Sequence, residues 1–236
     1  MLWILLAVIA ALMLLHLALF LPVSLREMDA ILQRDPAARS KWEVFFLYTG
    51  LHAVVYYRYA HFFYRHRWFF VARLISQFAR FVTGIEIHPG AQIGKGLFID
   101  HGMGVVIGET TIIGDNCTLY QGVTLGGTGK ERGKRHPTLG NNVMVGSGAK
   151  VLGPFTVGDN SKIAANAVVL SEVPENSTCV GVPARVVRIN DKRICRDTAD
   201  LDQIHMPDPT SQEICRIYKR IEDLEKMMEN RIGEEK

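Results

Sequence analysis

The chain has few cysteines and a small net charge, and each of these facts excludes a class of protein. The 236 residues include 4 cysteines, and none has the CxxC or Cys/His spacing of a metal site. We interpret them as unpaired thiols of a reducing compartment rather than as a disulfide framework. The formal net charge is +3, whereas 48% of the residues are hydrophobic, which excludes global disorder and allows a packed core.

Lysine and arginine are concentrated only in the stretch KERGKRH at residues 130–136. No nucleic-acid-binding motif accompanies this cluster, so a nucleic-acid partner is not predicted. We interpret the stretch as a solvated loop. The phosphate of a small molecule suits its charge better than a nucleic acid does.

The dominant pattern is a six-residue repeat, a period that belongs to neither a helix nor an alternating strand. Aliphatic residues occupy every sixth position over residues 107–125 and again over residues 139–169, and glycine follows six of them. This is the hexapeptide signature of a parallel β-helix, in which each strand buries its aliphatic side chain against the coils above and below. The aliphatic positions are Ile107, Ile113, Leu119, Leu125, Leu139, Val145, Val151, Val157, Ile163 and Val169.

The repeat has two irregularities. The interval from Leu125 to Leu139 exceeds the regular six by eight positions, which predicts an inserted loop that begins at Gly126. Insertions in a solenoid map to loops on one face, often the binding face. The second irregularity predicts that the first coil departs from the regular geometry. Its aliphatic residues recur every six positions but lie two positions out of phase with Ile107: Ile87, Ile93, Ile99 and Val105.

The pattern divides the chain into four predicted parts. Residues 1–23 form an apolar segment, and residues 24–84 form a short helical domain. Residues 85–189 form the β-helix domain, and residues 190–236 form a tail with a C-terminal amphipathic helix. The predicted fold class is therefore mainly β with α, a parallel β-helix of hexapeptide repeats preceded by a short helical domain.

The apolar segment contains no charged side chain over residues 2–23, which is long enough for a helix to cross a bilayer. A membrane anchor is the first hypothesis. A cleaved signal peptide is less favoured, because no Lys or Arg precedes the run and no clear small-residue cleavage site follows it. Basic residues come directly afterwards, so the positive-inside tendency places the rest of the chain in the cytoplasm. The alternative is a buried or oligomer-packed helix.

The tail carries apolar residues at three-and-four spacing, which fits the a/d seam of a short coiled coil. Such a seam would suit self-association of subunits, and the alternative is a helix that packs on its own β-helix. The residues are Ile214, Ile217, Ile221, Leu224 and Met228.

Residues that carry chemistry are concentrated in a few short motifs. They are EIHPG at residues 86–90, FIDHG at residues 98–102, and VTLGGTGK with RHP at the two ends of residues 123–137. Together with RDPAARS at residues 34–40 and GLHA at residues 50–53, they closely resemble the serine acetyltransferase family. The resemblance runs over about residues 25–189, and its specificity comes from several separate motifs in the right order.

This resemblance implies a left-handed coil and transfer of acetyl from acetyl-CoA to L-serine, the first step of cysteine biosynthesis from serine. It implies acetyl-CoA as a co-substrate, no permanently bound cofactor and no metal. It also implies a homotrimer or a higher assembly of side-by-side β-helices.

Acetyl transfer to serine needs a base, because a hydroxyl is a poor nucleophile at neutral pH and histidine has a suitable pKa. The resemblance assigns this role to His101 and assigns the upstream Glu86 to hold the imidazole in the correct tautomer. The spacing between them is close to one coil, so we expect the two side chains to face each other across adjacent coils. The family more often has Asp at this position. The alternative is that Glu86 pairs with a surface cation.

An amino-acid substrate carries two charges, so its site needs a carboxylate for the ammonium group and an Arg for the carboxylate. Asp35 and Asp100 suit the first role and Arg135 suits the second, while His136 is assigned by the resemblance to the hydroxyl or carboxylate. Asp35 has an alternative role as the cap of a helix that we predict to start at Asp35-Pro36. We expect the inserted loop to bring Arg135 and His136 to the face that carries His101.

The resemblance places CoA in a groove between neighbouring β-helices, where small residues let the backbone approach the ligand. Ala149 is expected to offer its backbone amide or carbonyl, and the lysines are expected to bind phosphate. Ala164 and Asn166 stand where the family usually has glycine. The predicted CoA-binding residues are Gly126, Gly127, Thr128, Ser147, Ala149, Lys150 and Lys162.

Three other functions remain open at this point. A sugar or exopolysaccharide O-acetyltransferase would share the fold but would not need the charge set for an amino acid. A hexapeptide carbonic anhydrase needs three histidines around zinc, and the short His spacing is missing. A non-enzymatic scaffold would not need the acetyltransferase motifs.

The family also has a partner, the cysteine synthase that consumes O-acetylserine, whose active site accepts a C-terminal isoleucine. This chain ends in NRIGEEK at residues 230–236, so that peptide end is absent. We therefore predict that the cysteine synthase complex is weak or missing.

Overall fold

The structure, a computed structural model, describes residues 21, 24–25, 27–129, 133–190, 192–193, 217 and 220–221. The predicted membrane anchor and the predicted C-terminal helix therefore lie almost entirely outside the described residues. Within the described part of the chain, no helix is long and apolar enough to cross a membrane.

Among the described residues, four helices precede the β-helix: α1, described over residues 27–34, α2 (Lys41–Leu47), α3 (Thr49–Arg65) and α4 (Phe69–Thr83). The helix start predicted at Asp35-Pro36 is wrong, because α1 ends there and the Asp35 amide donates to the Ile31 carbonyl at 2.8 Å. The next helix, α2, is capped by Ser40, whose side chain accepts a hydrogen bond from the Glu43 amide and so satisfies a free N–H of the first turn.

The described strands form three sheets in which every third strand pairs in parallel. The first sheet has the order β1-β4-β7-β10-β13, and the second has β2-β5-β8-β11. The third has β3-β6-β9-β12-β14, with β15 and β16 added antiparallel. A chain that visits three sheets in turn is a triangular coil, and this confirms the predicted left-handed parallel β-helix behind a helical domain. The strands are β1 (Glu86–Ile87), β2 (Gln92–Ile93), β3 (Phe98–Asp100), β4 (Val106–Ile107), β5 (Ile112–Ile113), β6 (Thr118–Tyr120), β7 (Thr124–Gly126), β8 (Thr138–Leu139), β9 (Met144–Val145), β10 (Lys150–Leu152), β11 (Thr156–Val157), β12 (Lys162–Ile163), β13 (Val168–Val169), β14 (Ser177–Gly181), β15 (Ala184–Ile189) and β16 (Lys192–Arg193).

The hexapeptide aliphatic residues form one continuous core inside the coil. All of them are buried, and they join the buried side chains of the first coil in a single cluster. Cys117 and Cys179 are also buried in this cluster as free thiols, and burial raises the pKa of each to about 11. They therefore pack as small apolar residues.

The two irregularities of the repeat appear as changes in strand register. Val106 pairs with Thr124 at the regular spacing of three hexapeptides, whereas Glu86 pairs with Val106 at a spacing two positions longer. Thr124 then pairs with Lys150 at a spacing eight positions longer than regular, because the inserted loop lies between them. The two extra positions of the first coil fall between β3 and β4, in the corner that contains His101.

The helical domain covers the open end of the first coil, whose outer backbone edge has no preceding coil to pair with. Tyr57 donates to the Ala91 carbonyl at 2.6 Å and Ser76 to the Ile87 carbonyl at 2.8 Å. Arg58 donates to the carbonyls of Ile93 and Gly94. Side chains of α3 and α4 therefore donate hydrogen bonds to the backbone carbonyls that the strands of a further coil would otherwise pair with.

We predict that this cap is a large part of the stability of the fold. Arg58 also pairs with Glu27 at 2.9 Å, and the Glu27 side chain is almost fully buried. Arg58→Met should lower the free energy of unfolding by about 3 kcal/mol, because it removes the cation that neutralises a buried carboxylate, which keeps only the Gly96 amide as a donor, and leaves two carbonyls without their side-chain donor. Urea denaturation measures the loss, and Lys95→Met, at an exposed cation of the same coil, is the control. Equal midpoints for the two variants would contradict the role of the cap.

Candidate active site

His101 is held in a strained conformation at the edge of the first coil. Its φ is 57°, in the left-handed region that residues other than glycine rarely adopt, and its side chain is 75% exposed. Such strain persists only where the surrounding structure imposes it, and it is common at functional sites. The enlarged corner between the third and first sheets, which we call the His101 corner, thus presents an accessible imidazole on a rigid backbone.

One carboxylate lies beside His101, and a second is hydrogen-bonded to a tyrosine of the helical domain. Asp100 ends β3, and its Oδ1 lies 3.9 Å from His101 Nε2. Tyr48, between α2 and α3, donates to Asp35 Oδ2 at 2.7 Å. Burial, together with the negative charges of Asp35 and Asp100, raises the pKa of Tyr48 above its ordinary value. The structure therefore places the two predicted ammonium ligands in one region, with Asp100 beside His101 and Asp35 bound to Tyr48.

Tyr48 was missed by the sequence analysis, although it precedes the motif at residues 50–53. An isolated tyrosine between two helices gives no periodic signal, so only the fold reveals its position. Asp35 is also a turn cap, since its Oδ1 accepts from the Ala37 amide at 2.8 Å. One carboxylate oxygen therefore holds the turn while the other holds the phenol.

Glu86 lies in β1 and contacts arginines of α4. Its two carboxylate oxygens lie 3.3 Å from Arg73 Nη2 and 3.1 Å from Arg80 Nη1. Among the described contacts Glu86 has no hydrogen bond to His101, so the structure does not bring this predicted pair together. Its role in orienting the imidazole stays a prediction, and the contacts present are those of the surface-cation alternative.

Arg135, in the inserted loop, is held by an ion pair. Its Nη2 donates to Glu109 Oε2 at 2.7 Å, and Tyr64 donates to the other oxygen of Glu109 at 3.3 Å. Burial opposes ionisation of Glu109, but the charges of His88 and Arg135 outweigh it and lower the pKa of this carboxyl. Glu109 and Tyr64, which the sequence analysis did not single out, therefore hold the guanidinium against the body of the β-helix.

His136 is buried, and Thr110 determines which of its nitrogens carries a proton. The Thr110 amide donates to His136 Nδ1 at 3.2 Å, and the Thr110 hydroxyl lies 2.9 Å from the same atom. An amide N–H can only donate, so Nδ1 is the acceptor and neutral His136 carries its proton on Nε2. Burial and the charge of Arg135 lower the pKa of His136, so the imidazole is neutral at pH 7 and presents an Nε2–H donor.

The structure corrects the expectation that the inserted loop brings Arg135 and His136 to the face of His101. The loop lies between β7 and β8, at the corner between the first and second sheets, which we call the His136 corner. The His101 corner is the other edge of the first sheet. An insertion enlarges one corner of a coil but does not move it to another, so the two histidines of one chain lie on opposite sides of the first sheet.

A column of small residues runs down the His101 corner below the histidine. Gly104, Gly122 and Gly148 stack coil upon coil with φ values of 76°, 70° and 70°, in the left-handed region that favours glycine, and a Cβ at Gly148 would also clash with the Asn166 side chain. Asn166 takes the same position in the following coil with φ of 57°. The Asn166 side chain lies against Gly148, so the surface without side chains ends at this coil.

The predicted CoA-binding residues are distributed over both corners and a sheet. Ser147 lies in the glycine column, and Lys150 begins β10, where its Nζ donates to the Gly122 carbonyl. Ala149 is buried, and its amide and carbonyl already bond to Gly146 and Thr124, so neither is free in the way that we expected. Gly126, Gly127 and Thr128 lie at the His136 corner, whereas Lys162 is exposed on the third sheet.

No group of three or more His, Cys, Asp and Glu side chains that could hold a metal occurs among the described residues.

Comparison with known proteins identifies the family. Residues 136–171 match the model described as bacterial transferase hexapeptide (six repeats). The chain is 66% identical over 160 residues to the serine acetyltransferase of Helicobacter pylori, with 68% of this chain and 94% of the relative covered. It is 54% identical over 205 residues to that of Bacillus subtilis, covering 87% and 93%. The chain belongs to the serine acetyltransferase family.

Solved structures of serine acetyltransferases agree with this assignment and confirm the predicted family. The Neisseria gonorrhoeae enzyme in complex with serine is 40% identical with a TM-score of 0.69, covering 72% of this chain and 69% of that one. The Brucella abortus enzyme in complex with coenzyme A is 42% identical with a TM-score of 0.68, covering 70% and 66%. The prediction that this chain is an acyltransferase is therefore confirmed.

The tautomer of His136 is directly testable. We predict that nitrogen NMR of the wild-type protein at pH 7 shows a neutral imidazole protonated at Nε2. Thr110→Val removes the hydroxyl that contacts Nδ1 and accepts from the Arg135 and His136 amides, but it keeps the Thr110 amide that donates to Nδ1, so the Nε2–H tautomer should persist while the ring signals broaden in a more mobile loop. Thr110→Ser keeps the hydroxyl and should behave as the wild type does. A proton on Nδ1 in the wild type would contradict the network.

Proposed function

We propose that this serine acetyltransferase transfers the acetyl group of acetyl-CoA to the hydroxyl of L-serine, giving O-acetyl-L-serine and CoA. The observation that carries the proposal is the accessible His101 imidazole beside the Asp100 carboxylate, in a chain 66% identical to a named serine acetyltransferase. Related enzymes in complex with serine and with coenzyme A support the two substrates.

His101 is the catalytic base of the proposed reaction. Its imidazole takes the proton of the serine hydroxyl as the oxygen attacks the thioester carbonyl, and the proton then passes to the departing CoA sulfur. The acetyl group moves directly, so no acyl-enzyme forms. The backbone of His101 is fixed in the left-handed region of φ, so the ring is already in position before the reaction and less entropy is lost in reaching the transition state.

The serine zwitterion is bound between two oppositely charged groups. Asp100 beside His101 and Asp35, which Tyr48 holds by a hydrogen bond, receive the ammonium group. Arg135 keeps guanidinium N–H groups beyond the one given to Glu109, and these receive the carboxylate with the Nε2–H of His136. A neutral sugar would leave all of these charges unmatched, which is why we prefer an amino acid to the sugar alternative.

The complete site forms between two protomers of a homotrimer. The ammonium ligands and the base lie at the His101 corner, while the carboxylate ligands lie at the His136 corner, and the first sheet separates the two within a chain. A contact between two unlike corners is heterologous, and it closes into a ring when the rotation between subunits allows it. Three triangular coils with their first sheets turned inward meet at these corners.

CoA lies in the groove along the same seam. The glycine column at residues 104, 122 and 148 gives a wall without side chains for the narrow pantetheine arm, with Ser147 at its lower end. Lys150 and Lys162 are the candidates for the phosphates, and Gly126–Thr128 of the neighbouring protomer form the opposite wall.

We place the catalytic domain in the cytoplasm, where acetyl-CoA is made and where unpaired cysteines stay reduced. Anchoring through residues 1–23 and a weak or missing cysteine synthase complex remain predictions.

Removing the proposed base should abolish most of the activity. His101→Ala should lower kcat for acetyl transfer to L-serine by about a thousandfold, because general-base catalysis is lost. The side chain is exposed, so the fold and the assembly should persist. Release of CoA with L-serine, and with sugars as the comparison, measures the effect. A wild-type rate with sugars but none with serine would overturn the proposed substrate, and retained activity of the variant would remove His101 as the base.

The composite site predicts complementation between two inactive variants. His101→Ala and His136→Ala damage different corners, so a mixed trimer contains some seams in which both corners are intact. Subunit exchange between equal amounts should restore roughly a quarter of the wild-type activity if every subunit contributes both corners of neighbouring sites. Refolding each variant alone is the control. No recovery in trimers shown to be mixed would place both residues in one protomer's site.

A further inference from the structure

A cavity opens between helix α3, the turn that follows it and the first coil of the β-helix, and we call it the α3 cavity. Its volume is about 650 Å³. Small-molecule sites commonly measure about 300–1,000 Å³, so the α3 cavity is large enough for an ordinary ligand. Its described lining contains aromatic and basic side chains but no Asp or Glu, and it includes Tyr57, His61, Tyr64, Arg65, Arg67 and Phe69. A space lined with cations and without carboxylates favours an anionic ligand.

Two of the three arginines that line the cavity have charge left for a ligand. Arg58 does not, because it pairs with Glu27 at 2.9 Å and donates to carbonyls of the first coil. Arg65 and Arg67 are exposed, and neither guanidinium has an ion pair or a hydrogen bond to the part of the chain that the structure describes. The α3 cavity therefore carries positive charge that the described protein does not neutralise.

Arg67 occupies a backbone position that glycine usually takes. Helix α3 ends in a Schellman motif, in which the Trp68 amide donates to the Phe63 carbonyl and the Arg67 amide to the Tyr64 carbonyl, both at 3.0 Å. The φ of Arg67 is 64°, in the left-handed region where a side chain costs free energy that glycine does not cost. Since its guanidinium makes no described contact that offsets this cost, the arginine contributes a cation to the cavity at the expense of local strain.

His61 offers a further polar group to a ligand. Its Nδ1 lies 2.8 Å from the Pro89 carbonyl, which can only accept, so Nδ1 carries a proton. Nε2 has no hydrogen bond to the described residues, and it accepts when the ring is neutral and donates when the ring is charged. A phosphate monoester exists as a monoanion and a dianion near neutral pH, so it can donate to Nε2 in one form and accept from it in the other.

The α3 cavity is separate from the candidate active site. None of the predicted serine or CoA ligands lines it. Tyr64 lies between the two sites, because it lines the cavity and its hydroxyl donates to Glu109, which pairs with Arg135. Since Arg135 already neutralises Glu109, this carboxylate does not cancel the charge of Arg65 and Arg67.

We propose that the α3 cavity binds a small molecule that carries a phosphate or a sulfate group. Arg65 and Arg67 donate charge-assisted hydrogen bonds to the oxygens of this group, and His61 Nε2 contacts it as well. A dianion matches the two free guanidiniums, whereas a single carboxylate would leave one of them without a partner. The rings of Tyr57 and Phe69 pack against the apolar part of the ligand. The site goes beyond the proposed function and does not rest on it.

The test is calorimetric titration of the full chain with sodium phosphate, sodium sulfate and phenyl phosphate. Arg67→Gly should weaken the binding of each by about tenfold or more, because a charge-assisted contact is lost. Glycine suits the left-handed position, so the thermal midpoint of this variant should not fall and the loss cannot be attributed to unfolding. Lys95→Gln removes an exposed cation of the first coil outside the cavity and should bind as the wild type does.

The three anions also identify the form of the ligand. Tighter binding of phenyl phosphate than of inorganic phosphate would indicate an organic phosphate whose ring packs on Tyr57 and Phe69. Equal affinities for phosphate, sulfate and phenyl phosphate would indicate a free oxyanion. Either result supports the proposed site.

A second pair of variants changes the charge of the cavity without touching its arginines. Gln92, exposed on β2, also lines the cavity. Gln92→Glu should weaken anion binding and Gln92→Lys should strengthen it, because the first competes for the guanidiniums and the second adds a cation.

Three results would overturn the proposal. The first is a wild type that binds none of the anions at millimolar concentration. The second is equal affinity of the wild type and Arg67→Gly, which would place the anion elsewhere, as at the phosphates of the CoA groove. The third is an Arg67→Gly variant that loses mass by light scattering and keeps its anion affinity, which would identify a carboxylate of another subunit as the partner of Arg67.

Discussion

The stacking of strands in register is the constraint on which the rest of this molecule depends. Most strands of the coil have only two or three residues, and each is stable because it bonds to strands of the coils on either side. A residue gained or lost inside a strand would turn the aliphatic side chain out of the core. Changes in length are therefore confined to corners, and both enlarged corners of this chain carry residues of the candidate site.

Much of the fold follows from the residues alone, because the hexapeptide period has a single structural solution. The ladder from Ile107 to Val169 predicts the strands, and the gap between Leu125 and Leu139 predicts the inserted loop. The phase shift before Ile107 predicts an irregular first coil. These signals are local, since each depends on spacing along the chain.

The arrangement of the candidate site is less accessible to sequence reasoning, because it depends on which corner each residue occupies. A count of residues suggests that Glu86 faces His101, but the count does not include α4, whose arginines reach Glu86 first. The separation of His101 from His136 likewise follows from the order of the three sheets. Asp35 shows a third limit, since a helix that ends at an Asp-Pro pair looks in sequence like one that begins there.

The covered end of the coil has a consequence for how these molecules associate. A stack of parallel strands is open at both ends, and an uncovered end would accept the end of another molecule and so grow into a fibre. Tyr57, Arg58 and Ser76 occupy the first edge, and the antiparallel pair of β14 and β15 changes the strand direction at the other. These molecules therefore do not stack end to end, and the β-helix associates with other copies through its sides. The same side chains that complete the first coil therefore select the geometry in which two half-sites can meet.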